Sequence, residues 1–236
     1  MSSRAQTGQA ATRTSARAEA KDSTSSVGAS LRERRAELGL SLRELARRLE
    51  VSPSLVSQIE TGKIQPSVRT LYAIVNELGL SLDEIFELGG LSSEEAHTRG
   101  LGAARTDEAG NGSPARAAAV PVQRRADRRA LELESGVRWE RLTAWNDKDI
   151  EFMEAIYEVG GASSPDGKLV RHSGREFGLV LSGTLGVTVG FDEHVLQPGD
   201  SISFESTIPH RLHNDGDEVV RAIWVVLGRH HNASEH

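Results

Sequence analysis

Residues 41–62, SLRELARRLEVSPSLVSQIETG, decide the fold of the N-terminal half of the chain. Ser41 and Glu44 form a Ser-x-x-Glu capping box, in which each side chain satisfies a free amide of the other's turn. Ser52 followed by Pro53 is an N-cap next to the one helical position that tolerates proline well. Gly62 suits the left-handed residue that ends a helix. The stretch therefore predicts two short helices joined by a tight turn.

Three more helices are predicted around this pair. The first runs from about Ser30 to Leu38 and is stopped by Gly39. A fourth spans Val68 to Leu78, and a fifth opens at a second capping box, SLDE at 81–84. Together they predict a small five-helix bundle within residues 28–88.

The third helix of this bundle has one apolar side and one polar side. At about 100° per residue, Val56 and Ile59 fall on the side that faces the bundle. The opposite side is short and polar, and a helix held this way after a tight turn enters the major groove, where Gln58 pairs with adenine N6 and N7. The candidate DNA-binding residues are Arg43, Ser52, Ser54, Ser57, Gln58, Thr61 and Lys63.

Charge and composition limit the class of protein. The chain carries a net charge of -6, whereas residues 31–69 hold more Lys and Arg than Asp and Glu, so a DNA contact must come from this local patch. The absence of cysteine excludes disulfides, zinc fingers and thiol nucleophiles. No run of roughly 18 apolar residues occurs. We expect a soluble cytoplasmic protein with no membrane contact.

The chain divides into segments by composition. Residues 1–27 are predicted to be a disordered tail, 89–119 a flexible linker and 229–236 a polar tail, because they offer little to bury. Residues 120–228 contain short runs of strand period broken by turn signals, and they predict an antiparallel sandwich or small barrel. These runs are VRWERLTAW, EFMEAIYEV, GLVLSG, LGVTVG, SISF and VVRAIWVVL.

The N-terminal half resembles the phage-repressor, or Xre-type, helix-turn-helix family. The segments that carry the resemblance are RAELGLSLRELARRLEVSPSLVSQIETG and IQPSVRTLYAIVNELGLSLDEIF. The resemblance implies a lambda-repressor-like DNA-binding bundle in which Arg35 pairs with Glu60, so both belong to the scaffold. Leu42 stands where the family often has a glutamine that touches DNA, so that glutamine contact is not carried over to this position. Periodicity alone also allows a five-helix protein-interaction module.

The C-terminal half resembles the cupin family in GREFGLVLSGTLGVTVG, QPGDSISF and IPHRLHN. The resemblance implies a double-stranded β-helix barrel, and hence an α+β multidomain chain. It also places His172, Glu176 and His210 at three of the four metal-ligand positions of the family. Val170 occupies the position of the missing first histidine.

Whether these three residues meet depends on a bend in the chain. Positions four apart in a strand lie about 13 Å apart, so a shared metal needs a bend, which Gly174 permits. Two imidazoles and a carboxylate form a facial set that suits iron(II), manganese or zinc. Without metal, the three side chains would bind a ligand's carboxylate or amine directly, or hydrogen-bond each other. No cofactor is therefore certain, and one divalent metal is the candidate.

The sequence predicts a one-component transcription regulator that is not an enzyme. Its expected partners are a double-stranded, palindromic DNA operator, a small-molecule effector and a second copy of the chain, because one recognition helix covers few base pairs. The alternative is an iron(II)-dependent cupin enzyme of the hydroxypropylphosphonate epoxidase type that retains a helix-turn-helix domain.

Overall fold

The computed structural model describes residues 27–89, 122–145, 147 and 149–228. The predicted N-terminal tail, linker and C-terminal tail lie outside these residues, apart from Val27 and Gly89 at their edges.

The five predicted helices are confirmed. They are α1 (27–37), α2 (Leu42–Arg48), α3 (Pro53–Glu60), α4 (Val68–Leu78) and α5 (Leu82–Gly89). Helix α1 includes residues ahead of the predicted start at Ser30, because Gly28 packs against the end of α3. A Cβ atom at Gly28 would lie 2.4 Å from the Ile59 carbonyl oxygen. Across the described ranges, no helix has the length and apolarity needed to span a bilayer.

The helix caps follow the sequence at two of three places. The Ser52 hydroxyl accepts a hydrogen bond from the Leu55 amide, and Ser81 and Glu84 form both halves of a capping box. The box predicted at Ser41 is wrong in one half. Ser41 accepts from the Glu44 amide, but the Glu44 carboxylate turns away to accept from Arg47 and Arg48.

The C-terminal half is an antiparallel β-structure in two sheets, which confirms the predicted barrel class. One sheet has the strand order β1-β2-β3-β9-β4-β7 and the other β6-β5-β8. A short 3₁₀ turn at Arg125–Asp127 precedes them. The strands are β1 (Ala130–Leu133), β2 (Val137–Arg141), β3 (Ile150–Tyr157), β4 (Arg175–Ser182), β5 (Leu185–Val189), β6 (Asp192–Leu196), β7 (Ser201–Glu205), β8 (His210–His213) and β9 (Val220–Leu227).

Three of these strands were not among the runs predicted from the sequence. Strands β6 and β8 have the sequences DEHVL and HRLH. Most of their residues are polar, so neither shows the apolar pattern from which strands were predicted. Strand β6 is held by a tight hairpin with β5, whereas β8 is held by pairing with β5 from a distant part of the sequence. Strand β1 has only four residues, ALEL, and pairs with β2. The predicted strand VRWERLTAW ends early, at Arg141.

The helical bundle packs directly against the barrel. The Glu134 amide donates to the Pro66 carbonyl at 2.9 Å, and the Arg69 amide donates to the Ser163 carbonyl at 3.2 Å. Arg141 of β2 is buried and lies 3.5 Å from Asp83 and 2.8 Å from Glu87, both on α5. These contacts fix α4 and α5 over one end of the barrel.

Candidate functional site

Helix α3 presents the polar face that its sequence predicts. Val56 and Ile59 are buried, while Ser54 and Thr61 are exposed. The Gln58 amide nitrogen donates to the Ser54 hydroxyl at 3.1 Å, so this side chain already lies along the outer face. Ser57 and Gln58 are half-buried beside it, and Ser52 is exposed at the start of the helix. The structure thus brings the predicted polar residues of α3 onto one surface.

The cations next to this face differ in their partners. Arg47 and Arg48 are engaged by Glu44, and Arg48 also by Glu77. Arg43 and Lys63 are exposed, and neither has an ion pair within the part of the chain that the structure describes. These two side chains are therefore available for contact with phosphate.

The scaffold pair implied by the family resemblance is confirmed. The Arg35 guanidinium donates two hydrogen bonds to the Glu60 carboxylate, at 2.6 and 2.8 Å, and a third to the Leu40 carbonyl at 2.7 Å. Glu60 is buried at the end of α3. The hydrogen bond that Arg35 donates to Glu60 raises the pKa of Arg35, although burial alone acts to lower it. The pair ties α3 to α1 and is not free to contact DNA.

In the barrel, the bend predicted at Gly174 brings the three candidate ligands together. Gly174 has φ of +108°, and a Cβ atom there would lie 2.5 Å from the Leu227 carbonyl oxygen. The chain therefore turns sharply between His172 and the start of β4. His210 arrives on β8. One ligand atom from each of His172, Glu176 and His210 lies within 4.8 Å of the other two, and all three residues are buried.

Three electron-rich atoms converge in this cluster. The Nε2 atoms of His172 and His210 lie 3.0 and 3.1 Å from the same oxygen, Glu176 Oε1. Each imidazole donates from Nδ1 to a backbone carbonyl at 2.9 Å, Ser173 for one and Ile208 for the other. A neutral ring with its proton on Nδ1 has a bare lone pair on Nε2. The arrangement therefore requires a cation, either a proton or a metal, between the rings and the carboxylate.

The pKa values of the cluster follow from this requirement. Burial acts to raise the pKa of Glu176, but the nearby His172 and His210 rings outweigh it and hold that pKa well below the ordinary value. Burial acts to lower the pKa of His210, and the Glu176 carboxylate outweighs it and raises the pKa. The second oxygen, Glu176 Oε2, accepts from the Trp224 indole at 2.7 Å. The carboxylate is thus held charged and oriented.

The distances also fit a metal ion. Two ligands at right angles with bonds of about 2.1 Å lie about 3.0 Å apart, which matches both contacts to Glu176 Oε1. Neither His172 Nε2 nor Glu176 Oε1 has a hydrogen bond of good geometry, so both atoms are unsatisfied in a buried place. The residues present therefore suit a divalent cation, with Val170 contributing no ligand.

Two aromatic residues of the site were missed from the sequence. Trp224 is not among the candidate residues drawn from the sequence, yet its indole donates a hydrogen bond to Glu176. A buried indole needs a hydrogen-bond acceptor, which could have indicated a polar partner for Trp224. Gly178 could have indicated where the ring lies, because the Trp224 ring packs against it. Tyr72 lies on α4, and its ring centroid is 4.3 Å from that of His172. Nothing in the sequence indicates that the helical domain contributes a wall to this site.

The comparisons with known proteins agree with both halves. A helix-turn-helix family model matches residues 31–85, and a cupin domain model matches residues 153–226. The HTH-type transcriptional regulator PuuR of Escherichia coli is 26% identical over 197 residues, which cover 83% of this chain and 91% of that protein. These matches run through both domains.

Among solved structures, an HTH_3 family transcriptional regulator from Vibrio cholerae matches with a TM-score of 0.58 at 20% identity, covering 88% of this chain and 98% of that one. The structure of hydroxypropylphosphonic acid epoxidase from S. wedmorenis matches with a TM-score of 0.40 at 20% identity, covering 86% of this chain and 98% of that one. This similarity is too low to indicate a shared function. The chain therefore joins an Xre-like helix-turn-helix domain to a C-terminal cupin domain and is homologous through both to an HTH-type transcriptional regulator.

Proposed function

We propose that this regulator binds a palindromic operator as a homodimer, with α3 in the major groove, and that its barrel senses a small molecule in the cytoplasm. The observation that carries the proposal is the exposed polar face of α3, which lies next to two cations that have no ion pair within the described residues, Arg43 and Lys63. A polar helix surface flanked by free cations is what base and phosphate contact requires.

Each DNA-binding residue has a role in this proposal. Gln58 pairs with an adenine edge, since its amide offers a donor and an acceptor side by side. Ser54, Ser57 and Thr61 form short contacts on either side of it. Ser52 caps α3 through the Leu55 amide and places its start at the DNA backbone. Arg43 and Lys63 neutralise phosphates.

The outer face of the large sheet is the surface proposed for the second copy. Phe177 and Leu179 lie on β4, an interior strand of the sheet, and are 38% and 40% exposed. Strand pairing places Phe177 beside Val225 and, one strand further, Phe152. A twofold pair formed on this apolar face would hold two α3 helices for two half-sites.

In the barrel, His172, Glu176 and His210 are proposed to hold one divalent metal, iron, manganese or zinc. The metal, when bound, supplies a Lewis-acid position to which an oxygen or nitrogen of the sensed molecule attaches. The protein itself holds the ligands in place. The backbone carbonyls of Ser173 and Ile208 orient the two rings, and the Trp224 indole orients the carboxylate.

DNA binding is tested with short duplexes that tile the DNA upstream of the protein's own gene, each compared with a scrambled duplex. The protein should bind one duplex that contains a palindrome with higher affinity than its scrambled version. This affinity should fall steeply as the salt concentration rises. Equal binding to every tile and scrambled duplex at low salt would refute the proposal of a specific operator.

The metal is tested by elemental analysis of untagged protein purified without chelator. We expect about one equivalent in the wild type, loss of the metal in Glu176→Gln, and retention in a variant that ends at Gly228 and so lacks the tail histidines. No metal in the wild type, or metal lost only with the tail, would show that the three residues serve another purpose.

The same His-Glu-His set is the one feature that favours the alternative of an iron(II)-dependent enzyme. The two proposals assign the activity to different residues. For a regulator, replacing both Gln58 and Ser57 by alanine abolishes the cellular function. For an enzyme it does not, whereas His172→Ala abolishes it.

A further inference from the structure

Helix α4 of the DNA-binding domain closes the cavity of the barrel. Val68 and Tyr72 line this cavity together with Glu176 and His210. Both α4 residues are buried, although neither belongs to the barrel. The Tyr72 ring packs on His172, and its centroid lies 5.5 Å from that of Trp139. The helical domain therefore supplies one wall of the proposed sensor site.

With this wall in place the cavity is very small. Its volume is about 20 Å³, and a cavity needs about 10–15 Å³ to hold one water molecule. A metal ion with one bound water fits such a space. An organic molecule of several heavy atoms does not, so its binding requires one wall to move.

The walls differ in how they are held. Trp139 and Ala155 lie on β2 and β3, which are paired along their length, and Glu176 and Trp224 lie on paired β4 and β9. The wall formed by α4 is held by the Arg69 to Ser163 and Glu134 to Pro66 backbone hydrogen bonds and by a long hydrogen bond of 3.4 Å from the Tyr72 hydroxyl to Glu151. The neighbouring helix α5 adds ion pairs to Arg141 and Arg129. Displacing α4 breaks no strand pairing. We therefore expect α4, and not the strands, to move when a larger molecule binds.

We propose that an organic effector and α4 compete for the same space, so that effector binding releases the helix-turn-helix domain from the barrel. This inference rests on the proposed sensing role of the barrel. While docked on the barrel, the two α3 helices of a dimer keep a fixed spacing. After release the domain is tethered through residues 90–121, and the loss of fixed spacing weakens operator binding.

The competition is tested without knowing the effector, by filling the cavity from the barrel side. Ala155 is buried, lines the cavity and faces Trp139 across the β2–β3 pair. Ala155→Leu places three more carbons in the cavity and should expel Tyr72. In the double variant Ala155→Leu/Tyr72→Ala, the added side chain occupies the space of the lost phenol, and the domain should dock again.

Docking is read from hydrogen exchange of the Arg69 amide. This amide is in the first turn of α4, where it has no acceptor within the helix, so the Ser163 carbonyl is what protects it. We expect wild-type protection, a loss of at least tenfold in Ala155→Leu, and recovery in the double variant. The amides that join β3 to β9 report that the barrel is still folded.

A matched control separates competition from general overpacking. Ala222 is buried opposite Ala155 on β9 but does not line the cavity. Damage caused by Ala222→Leu should not be repaired by Tyr72→Ala. If Ala155→Leu prevents folding, Ala155→Val adds two carbons and is read in the same way.

Wild-type protection of the Arg69 amide in Ala155→Leu would overturn the proposal that effector and α4 compete. A lack of recovery in Ala155→Leu/Tyr72→Ala would overturn it as well. Unchanged operator affinity in an undocked variant would overturn the link to DNA binding. The exchange measurement needs no DNA, so a wild-type protein without a specific operator would refute the proposed function while this result still stood.

Discussion

At the scale of single residues, the predictable features are those whose chemistry is written locally. The bend at Gly174 follows from the spacing of His172 and Glu176, and it is confirmed. The Arg35–Glu60 pair, 25 residues apart, was implied by the family resemblance instead, and it is also confirmed. Tyr72 was not predictable as a site residue, because its contact with His172 joins two domains that are far apart in sequence. The role of Trp224 could have been predicted, because a buried indole needs a hydrogen-bond acceptor and Glu176 supplies one.

The Arg35–Glu60 pair predicts a large cost for removing one partner. Arg35→Ala should lower the free energy of unfolding of the helical domain by about 3 kcal/mol, because Glu60 is left buried without its counter-ion. Arg47→Ala removes an exposed ion pair with Glu44 and should have a much smaller effect, because solvent screens the pair. Urea unfolding monitored by circular dichroism measures both. Equal, small effects would mean that the buried pair contributes little.

The barrel cluster predicts a pH optimum for the metal-free protein. Glu176, with its pKa held below 4.5, stabilises the fold above pH 4.5, and this contribution is lost as the pH falls further. His210, with its pKa raised above 6.5, stabilises the fold below pH 6.5, and this is lost as the pH rises through the raised value. In the presence of chelator, the melting temperature should therefore be higher at pH 6 than at pH 8.5.

The control for this pH dependence is Glu176→Gln, which removes the charge that both shifts depend on. The difference in melting temperature between pH 6 and pH 8.5 should shrink in this variant. An unchanged difference would assign the pH dependence to groups outside the cluster.

At the scale of helices and strands, apolar period and caps were sufficient where a segment has a clear buried side. The five helices were predicted, and α4 has the predicted limits, Val68–Leu78. Strands β6 and β8 were not, because most of their residues are polar and pairing with β5 determines their conformation, through a hairpin for β6 and from a distant part of the sequence for β8. The candidate ligand His210 lies on β8, so its place in the site came from family resemblance and not from strand pattern.

The entry into β4 predicts that Gly174 is needed for the site. Gly174→Ala forces a side chain into positive φ and against the Leu227 carbonyl, so we expect loss of bound metal and a destabilised barrel. Gly199→Ala is the matched control, since Gly199 has φ of +94° but open space where the Cβ atom would be. Metal content and thermal melting of the two variants are compared. Metal retained in Gly174→Ala would show that the bend does not depend on glycine.

At the scale of the whole molecule, the sequence predicts two domains but not their contact. The buried Arg141, which joins β2 to two acids of α5, reads in the sequence as an ordinary surface residue of a strand. Composition therefore suggests two independent units. The structure instead places the helical domain against the mouth of the barrel, where one domain can respond to the contents of the other.

The proposed dimer surface predicts that a charge on it disrupts assembly. Leu179→Arg on the outer face of β4 should shift the protein from dimer to monomer and weaken operator binding at least tenfold. Val195→Arg alters another exposed apolar residue, on β6, and should leave both unchanged. Analytical ultracentrifugation gives the mass. A dimer that survives Leu179→Arg would place the interface elsewhere.

The most direct measurement of the central claim is the affinity of the wild type, Gln58→Ala and Gln123→Ala for the same palindromic duplex at one salt concentration. Gln58 lies on the face of α3, whereas Gln123 lies ahead of the barrel and bonds only to the Arg124 carbonyl within the described residues. We predict that Gln58→Ala weakens binding about tenfold or more, since a bidentate contact to a base contributes about 1–3 kcal/mol, and that Gln123→Ala binds as the wild type does. Wild-type affinity in Gln58→Ala would contradict the assignment of α3 as the recognition helix.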